Sequence, residues 1–266
     1  MTTWVLDLDG VMWRGDTSIP GSADAVAALD AAGHTVAFCT NNSSQRIGFY
    51  IEKLIRFGVV ETIASRTVSS ATAAGTLIEA GERVLLCAGE GAREAVEDAG
   101  GELVDDPRAA ERVIVGFHRS FDYDAMLGAT RAVLGGATLL ATNDDPIYPA
   151  ADGPAPGGGA ILASIVAATS QAPTVAGKPH EPMAALIRAR FTDSTGSGGS
   201  MAPEAPSAGV FVGDSPRTDG AMAARLGWPF AMVLSGNHTH SDEAWQAPNL
   251  ADLVEGYLHG SERFGG

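Results

Sequence analysis

Short apolar runs alternate with stretches of helical periodicity along almost the whole chain. Trp4-Val5-Leu6, Thr35 to Thr40, Gly209 to Gly213 and Phe230 to Leu234 are of strand length and bounded by turn residues. Between them, Ala23 to Ala32, Ser44 to Phe57, Pro182 to Phe191 and Pro216 to Leu226 repeat their apolar positions at helical spacing. Strands that alternate with helices in this way predict an α/β protein built on a doubly wound parallel sheet.

The middle of the chain repeats the pattern on its own account. Arg83 to Cys87, Arg112 to Gly116 and Ala137 to Ala141 read as strands, and Ala92 to Ala99, Tyr123 to Leu134 and Ala160 to Thr169 as helices. A self-contained α/β unit between two halves of another predicts an inserted domain at 80–173, flanked by a larger domain made of 1–79 and 174–266. Thr192 to Gly209 is rich in Ser, Gly and Pro and lacks periodicity, so an exposed loop or linker is expected there.

Composition narrows the function classes. With 32 acidic against 17 basic residues the net charge is −15, which repels a nucleic-acid backbone. A phosphate pocket on such a chain must be made locally positive by a metal, a lysine or helix N-termini. The longest apolar run, Ala160 to Ala168, is too short to span a membrane. Asp7 and Asp9 stand where a signal peptide needs its apolar stretch, so the expected location is the cytoplasm. Two cysteines, Cys39 and Cys87, make no disulfide framework and are expected as buried thiols.

Chemistry-bearing residues gather at the ends of the predicted strands. The first strand runs into Asp7-Leu8-Asp9-Gly10, the second into Thr40-Asn41-Asn42-Ser43. Thr174 to Ala176 runs into Gly177-Lys178-Pro179, and the next strand into Gly213-Asp214-Ser215-Pro216-Arg217-Thr218-Asp219. In an open parallel sheet such ends meet in one crevice. Oxygen-only ligands suit Mg²⁺, a carboxylate can serve as nucleophile, and a hydroxyl and a lysine can hold phosphoryl oxygens. Taken singly, each motif has a plain structural explanation. Asp-x-Asp-Gly makes a turn, Gly-Lys-Pro a loop, and Ser215-Pro216 a helix cap. All four in order at strand ends point to phosphoryl transfer.

As a set these motifs resemble the haloacid dehalogenase superfamily, and within subfamily IIA the NagD-like phosphatases, whose cap (of the C2 type) lies between the second and third motifs. The resemblance rests on Trp4 to Val11, Cys39 to Ser44, Gly177 to Pro179, and Gly213-Asp214 with Thr218-Asp219. Cap-region runs near Val115 to Tyr123, Ala141 to Asn143 and Gly153 to Ala160 add to it. It implies a Rossmann-like core with an α/β cap. It also implies that Asp7 is nucleophile and Mg²⁺ ligand, and that Asp9 exchanges the protons and binds the metal through its carbonyl. Thr40, the N–H of Asn41 and Lys178 would hold the phosphate, Asp214 would complete the metal site, and Asp219 would orient from behind. Spacing agrees with the cap's position: 33 positions separate Asp7 from Thr40, but 138 separate Thr40 from Lys178.

The expected activity is Mg²⁺-dependent hydrolysis of a small phosphorylated metabolite, with glycerol phosphate or a sugar phosphate as first candidates. The resemblance points to Asn143, Asp145 and Tyr148 for substrate choice and to a homodimer formed through the cap. Relatives that hydrolyse pyridoxal phosphate carry a histidine where Tyr148 aligns, and many have an acid where His118 stands. A nucleotide phosphatase, with Tyr148 or Phe121 stacking on a base, and a non-catalytic phosphate-binding or regulatory protein are the alternatives. Gly157-Gly158-Gly159 reads equally as an anion cradle or a cap loop. Gly89-Glu90-Gly91 reads as a turn, His238 and His240 as solvated, and His180 as lining the pocket mouth or lying on the surface.

Overall fold

The computed structural model describes residues 1–150, 153–192, 209–236 and 243–260. They fall into two compact units: Met1–Cys39, Ile51–Thr67 and Ala184–Gly266 form one, Thr40–Tyr50 and Val68–Met183 the other. The stretch 80–173 lies wholly within the second unit. Most of Thr192 to Gly209, and both His238 and His240, lie outside the described residues.

The six-stranded sheet runs β15 (Gln246–Ala247), β14 (Phe230–Val233), β13 (Gly209–Gly213), β1 (Thr3–Leu6), β4 (Thr35–Thr40), β5 (Thr67–Ser69). β1 pairs in parallel with both β13 and β4, and β14 and β15 continue in parallel outward from β13. The order therefore grows away from β1 in both directions, the doubly wound arrangement predicted. Every residue of β1 and β13 is buried, as central parallel strands require. Between β1 and β4 the chain forms a hairpin, β2 (Trp13–Arg14) with β3 (Thr17–Ser18), and then α1 (Ser22–Ala31), which packs against α10 (Leu250–Leu258). At the start of β1, remote from the strand's functional end, Trp4 meets the rings of His34, Trp245 and Tyr257 edge-on.

A second, five-stranded parallel sheet runs β12 (Thr174–Val175), β9 (Thr138–Ala141), β8 (Arg112–Val115), β6 (Arg83–Cys87), β7 (Glu102–Leu103). Alternate residues of its strands, Leu85 and Cys87, Val113 and Val115, Leu139 and Ala141, cluster with Ala129 and Val133 of α6 (Tyr123–Leu134) and Ile161 and Ile165 of α7 (Gly158–Thr169). Full burial contributes about 1.5–3 kcal/mol for each larger side chain of this cluster. Asp122 caps α6 by accepting from Ala125 N at 2.9 Å. β10 (Ile147–Ala150) and β11 (Gly153–Pro156) form a separate antiparallel hairpin. Both cysteines are buried thiols, as expected.

The elements depart from the predicted ones in three places. The helix expected from Ser44 starts later, as α2 (Ile47–Arg56), because Asn42 Oδ1 accepts from Ser44 N and Ser44 Oγ and holds a turn instead. Two short helices, α3 (Glu61–Ala64) and α4 (Ser70–Gly75), and then α5 (Glu90–Asp98), follow; Glu94 of α5 accepts from Ile47 N at 2.7 Å. After α8 (Glu181–Phe191), the helix expected from Pro216 opens as a π-helical turn, Pro216–Gly220, before α9 (Ala221–Leu226). Finally, β12, which leads into Lys178, is hydrogen-bonded to β9 in the second sheet rather than standing in the first. Among the described residues no helix is long and apolar enough to cross a membrane.

Candidate active site

β1 and β13 run parallel, so the residues that follow them, Asp7 and Asp214, leave the first sheet at the same edge. The π-helical turn after β13 brings Asp219 back to them, its N–H bonded to Ser215 O at 2.8 Å. Asp7, Asp214 and Asp219 each offer an oxygen, and these oxygens lie within 4.8 Å of one another. Asp214 and Asp219 are buried. Glycine makes the gathering possible. Gly10 sits at φ +81°, and a Cβ there would come within 2.6 Å of Asp214 Oδ2; a Cβ on Gly236 would collide with the same carboxylate, and one on Gly213 with Asp219. Ser215 N donates to Asp219 Oδ2 at 3.1 Å. Ser235 Oγ donates to Gly10 O at 2.7 Å, and Arg14 reaches the carbonyls of Ser235 and Gly236.

Three carboxylates this close repel one another unless a cation joins them. Their donor set is oxygen only, which matches a hard divalent ion such as Mg²⁺. The Asp9 carboxylate stands beside this group rather than in it. Burial raises its pKa to about 6, the charges of Asp7 and Asp214 push the same way, and the Trp13 hydrogen bond and Lys53 oppose them. Trp13 Nε1 donates to Asp9 Oδ1 at 2.9 Å. Neither Trp13 nor Lys53 figures in the sequence reading, although the aromatic ring four residues past an Asp-x-Asp was a visible signal.

In the second unit Asn41 is the hub. Its Nδ2 donates to Asp145 Oδ2 at 2.8 Å and to Lys178 O at 3.0 Å, and its Oδ1 accepts from Lys178 N at 2.7 Å. Its carbonyl accepts from Ser70 Oγ at 2.6 Å and Asn143 Nδ2 at 2.8 Å. Gly177 admits this packing, since a Cβ there would come within 2.6 Å of Asn41 Oδ1. Lys178 is 1% exposed. Thr40, the last residue of β4, is buried, and its Oγ1 accepts from Asn42 N at 3.1 Å. Of the three residues expected to choose substrate, Asn143 and Asp145 therefore bind Asn41. Tyr148 instead meets Phe117 edge-on, ring centroids 4.8 Å apart, and Arg119 donates to its hydroxyl at 3.4 Å.

Several weaker signals now have a definite place. Phe121 packs against the second unit's apolar cluster. Gly157 and Gly159 admit the carbonyls of Asp145 and Asp144 where a Cβ would collide, and their N–H groups bond Pro146 O and Asp145 O, so this glycine run packs backbone on backbone. Gly91 does the same for Gln45 O. His180 Nε2 lies 3.1 Å from Asp144 Oδ2. His118 faces the Cys87 sulfur at 3.7 Å; burial lowers the histidine's pKa and raises that of the thiol to about 12.

An open parallel sheet with paired acids after its first strand and a carboxylate cluster at its switch point defines a phosphoryl-transfer hydrolase of the haloacid dehalogenase type. A family model described as haloacid dehalogenase-like hydrolase matches residues 4–102, and one described as HAD-hydrolase-like matches 175–256. The chain belongs to this family and, within it, to the NagD-like phosphatases, which are phosphoric monoester hydrolases. It is 32% identical over 180 residues to an acid sugar phosphatase of Staphylococcus saprophyticus, spanning 66% of this chain and 69% of that one. The structure of a p-nitrophenyl phosphatase from Archaeoglobus fulgidus matches 96% of this chain and 98% of its own, at 29% identity and TM-score 0.84. That of a glycerol phosphate phosphatase from Mycobacterium tuberculosis, in complex with magnesium, matches 95% and 77% at 25% identity and TM-score 0.81.

Proposed function

We propose that this chain hydrolyses a small phosphomonoester in the presence of Mg²⁺ through an aspartyl-phosphate on Asp7. The observation that carries the reading is the carboxylate group of Asp7, Asp214 and Asp219 beside an Asp9 that holds a proton up to a pH of about 6. Asp7, Asp214 and the carbonyl of Asp9 would hold the metal, with Asp219 orienting around it. When bound, the cation would offset the negative charge of the phosphate against these acids.

The chemistry then falls to the chain's own groups. Asp7 attacks phosphorus, the bond to the leaving oxygen breaks, and Asp9 delivers its proton to that oxygen. Asp9, now ionised, takes a proton from the water that attacks the aspartyl-phosphate, which frees phosphate and restores Asp7. Thr40, the N–H of Asn41 and Lys178 bind the phosphate oxygens. The Asn41 side chain is engaged within its own unit, so its part in binding falls to the backbone. Tyr148 bears on substrate choice directly, whereas Asn143 and Asp145 bear on it through Asn41.

Glycerol phosphate and sugar phosphates are the first substrates to try, in view of what two of the three named relatives act on. The test is phosphate release from a broad panel, nucleotides included, with Mg²⁺ and with chelator. Metal-dependent release concentrated on one compound supports the reading and names the substrate. No release from any compound, a generic aryl phosphate among them, overturns it in favour of phosphate binding without turnover.

A further inference from the structure

Lys53 is an unusual cation. It is only 6% exposed, and burying an ammonium is costly unless something compensates. Its Nζ donates to Gly15 O at 2.7 Å and lies 4.4 Å from the centroid of the Trp13 ring. The nearest carboxylate, Asp16 at 3.7 Å, is almost fully exposed and compensates little. Trp13 itself is 1% exposed, and its own N–H goes to Asp9. The hairpin around Gly15 explains a lysine that grips a carbonyl. It does not explain why the ammonium stands over the face of the indole whose N–H holds Asp9.

The arrangement has a chemical consequence. A cation on the face of an indole draws electron density from the ring and makes its N–H a stronger donor. That donor occupies Oδ1 of Asp9, so the carboxyl's proton resides on Oδ2. The backbone enforces the approach: Met12 N and Trp13 N both bond to Leu8 O, at 2.8 and 3.3 Å, and Gly10 N bonds to Trp13 O at 2.7 Å, which folds the segment back on itself.

We propose that Trp13 and Lys53 are positioning residues for Asp9, the indole N–H fixing Oδ1 so that Oδ2 faces the leaving oxygen, and the Lys53 ammonium strengthening that hold. The proposal rests on the reading of Asp9 as the proton donor. In the step it governs, the Oδ2 proton passes to the leaving oxygen as the phosphorus–oxygen bond breaks.

The test uses leaving groups that differ in their need for a proton. An alkoxide leaves only when protonated, whereas p-nitrophenolate leaves without help, and kcat/KM reports this first irreversible step. Lys53→Met keeps the apolar stem and removes the charge, Trp13→Phe removes the donor, and Lys53→Arg retains a cation for the ring. For Lys53→Met and Trp13→Phe, kcat/KM on glycerol phosphate is expected to fall at least about tenfold more than on p-nitrophenyl phosphate, a part of the roughly 10²–10⁴-fold that general acid catalysis contributes. Lys53→Arg is expected to recover most of the difference. Equal losses on both substrates in folded variants overturn the proposal and leave a structural role. If Trp13→Phe fails to fold, Lys53→Met and its arginine counterpart decide the matter. Asp9→Asn is the control: alkyl-selective loss there with none in Lys53→Met refutes the positioning role alone, and no selectivity even in Asp9→Asn refutes the donor assignment beneath it.

Discussion

The carboxylate group of the first unit and the Asn41 network of the second place polar side chains at strand ends by opposite means. Asp7, Asp214 and Asp219 are like charges brought within 4.8 Å by glycines that leave room for them. Asn41 is neutral, and its side chain gives and receives hydrogen bonds with Asp145 and Lys178. The first arrangement is costly for the fold and useful for chemistry; the second is stable and holds a motif in shape. Strain tolerated at a site marks where function outweighed stability.

The sharpest way to break this contrast is Asp7→Asn. It removes one of the clustered charges and the nucleophile together. Phosphate release is expected to fall by more than about a thousandfold. The melting temperature without metal is expected to stay or rise, since repulsion is relieved. Activity retained in that variant sinks the mechanism, and a large fall in melting temperature sinks the view that the cluster is strained.

Asn41→Ala tests the other half. The Lys178 N–H and carbonyl and the Asp145 carboxylate each lose a partner, and Lys178 is buried. A hydrogen bond contributes about 0.5–1.5 kcal/mol net, so losing these three is expected to cost roughly 2–4 kcal/mol in denaturant unfolding. The two variants should thus differ in kind: one inactive and stable, the other destabilised.

What was legible in the chain follows the same division. The buried strands β1, β4 and β13 and the polar residues at their ends stood out, because continuous apolar runs that stop at Asp or Thr carry their own boundary. The hairpin of β10 and β11 was hidden, since Pro149, Pro154 and Pro156 stand in its strands and proline argues against a strand except at an edge. α10 was overlooked although Asn249 caps it and Leu250, Leu253 and Val254 are spaced as a helix face. Its nine residues follow a segment that is polar and aperiodic. The partners of Asn41 were least legible. Ser70 and Asn143 lie 29 and 102 positions away, and no local pattern encodes a side chain that meets a remote carbonyl.

The titration of Asp9 sharpens the strain argument. Its pKa is raised in the folded chain from 3.8 to about 6, first by burial and then by Asp7 and Asp214. Well below pH 3.8 the carboxyl is protonated both folded and unfolded and costs nothing. As pH rises from 3.8 to about 6 the unfolded chain ionises while the folded one holds its proton, and the fold loses about 2–3 kcal/mol of stability for a shift of this size, levelling off above that pH. Urea unfolding of the metal-free protein at pH 4.5 and 7.5 checks this, with Asp9→Asn expected to remove most of the difference from this source. Stability that rises across that window because of Asp9 has the wrong sign for a strained cluster.

The smallest effect belongs to the edge of the Asn41 network. His180 and Asp144 lie 3.1 Å apart, but the histidine side chain is 34% exposed and the aspartate 43%. Water screens such a pair, and exposed pairs contribute from nothing to about 1 kcal/mol. His180→Ala is therefore expected to shift stability by less than about 1 kcal/mol. Its position two residues past Lys178 makes this informative. If the network is held by Asn41 alone, removing His180 leaves both the melting temperature and the KM for substrate nearly as they were. A loss comparable to that of Asn41→Ala would mean that the hold on Lys178 extends outward to the Asp144–His180 pair, and that the second unit's order is less local than its hydrogen bonds imply.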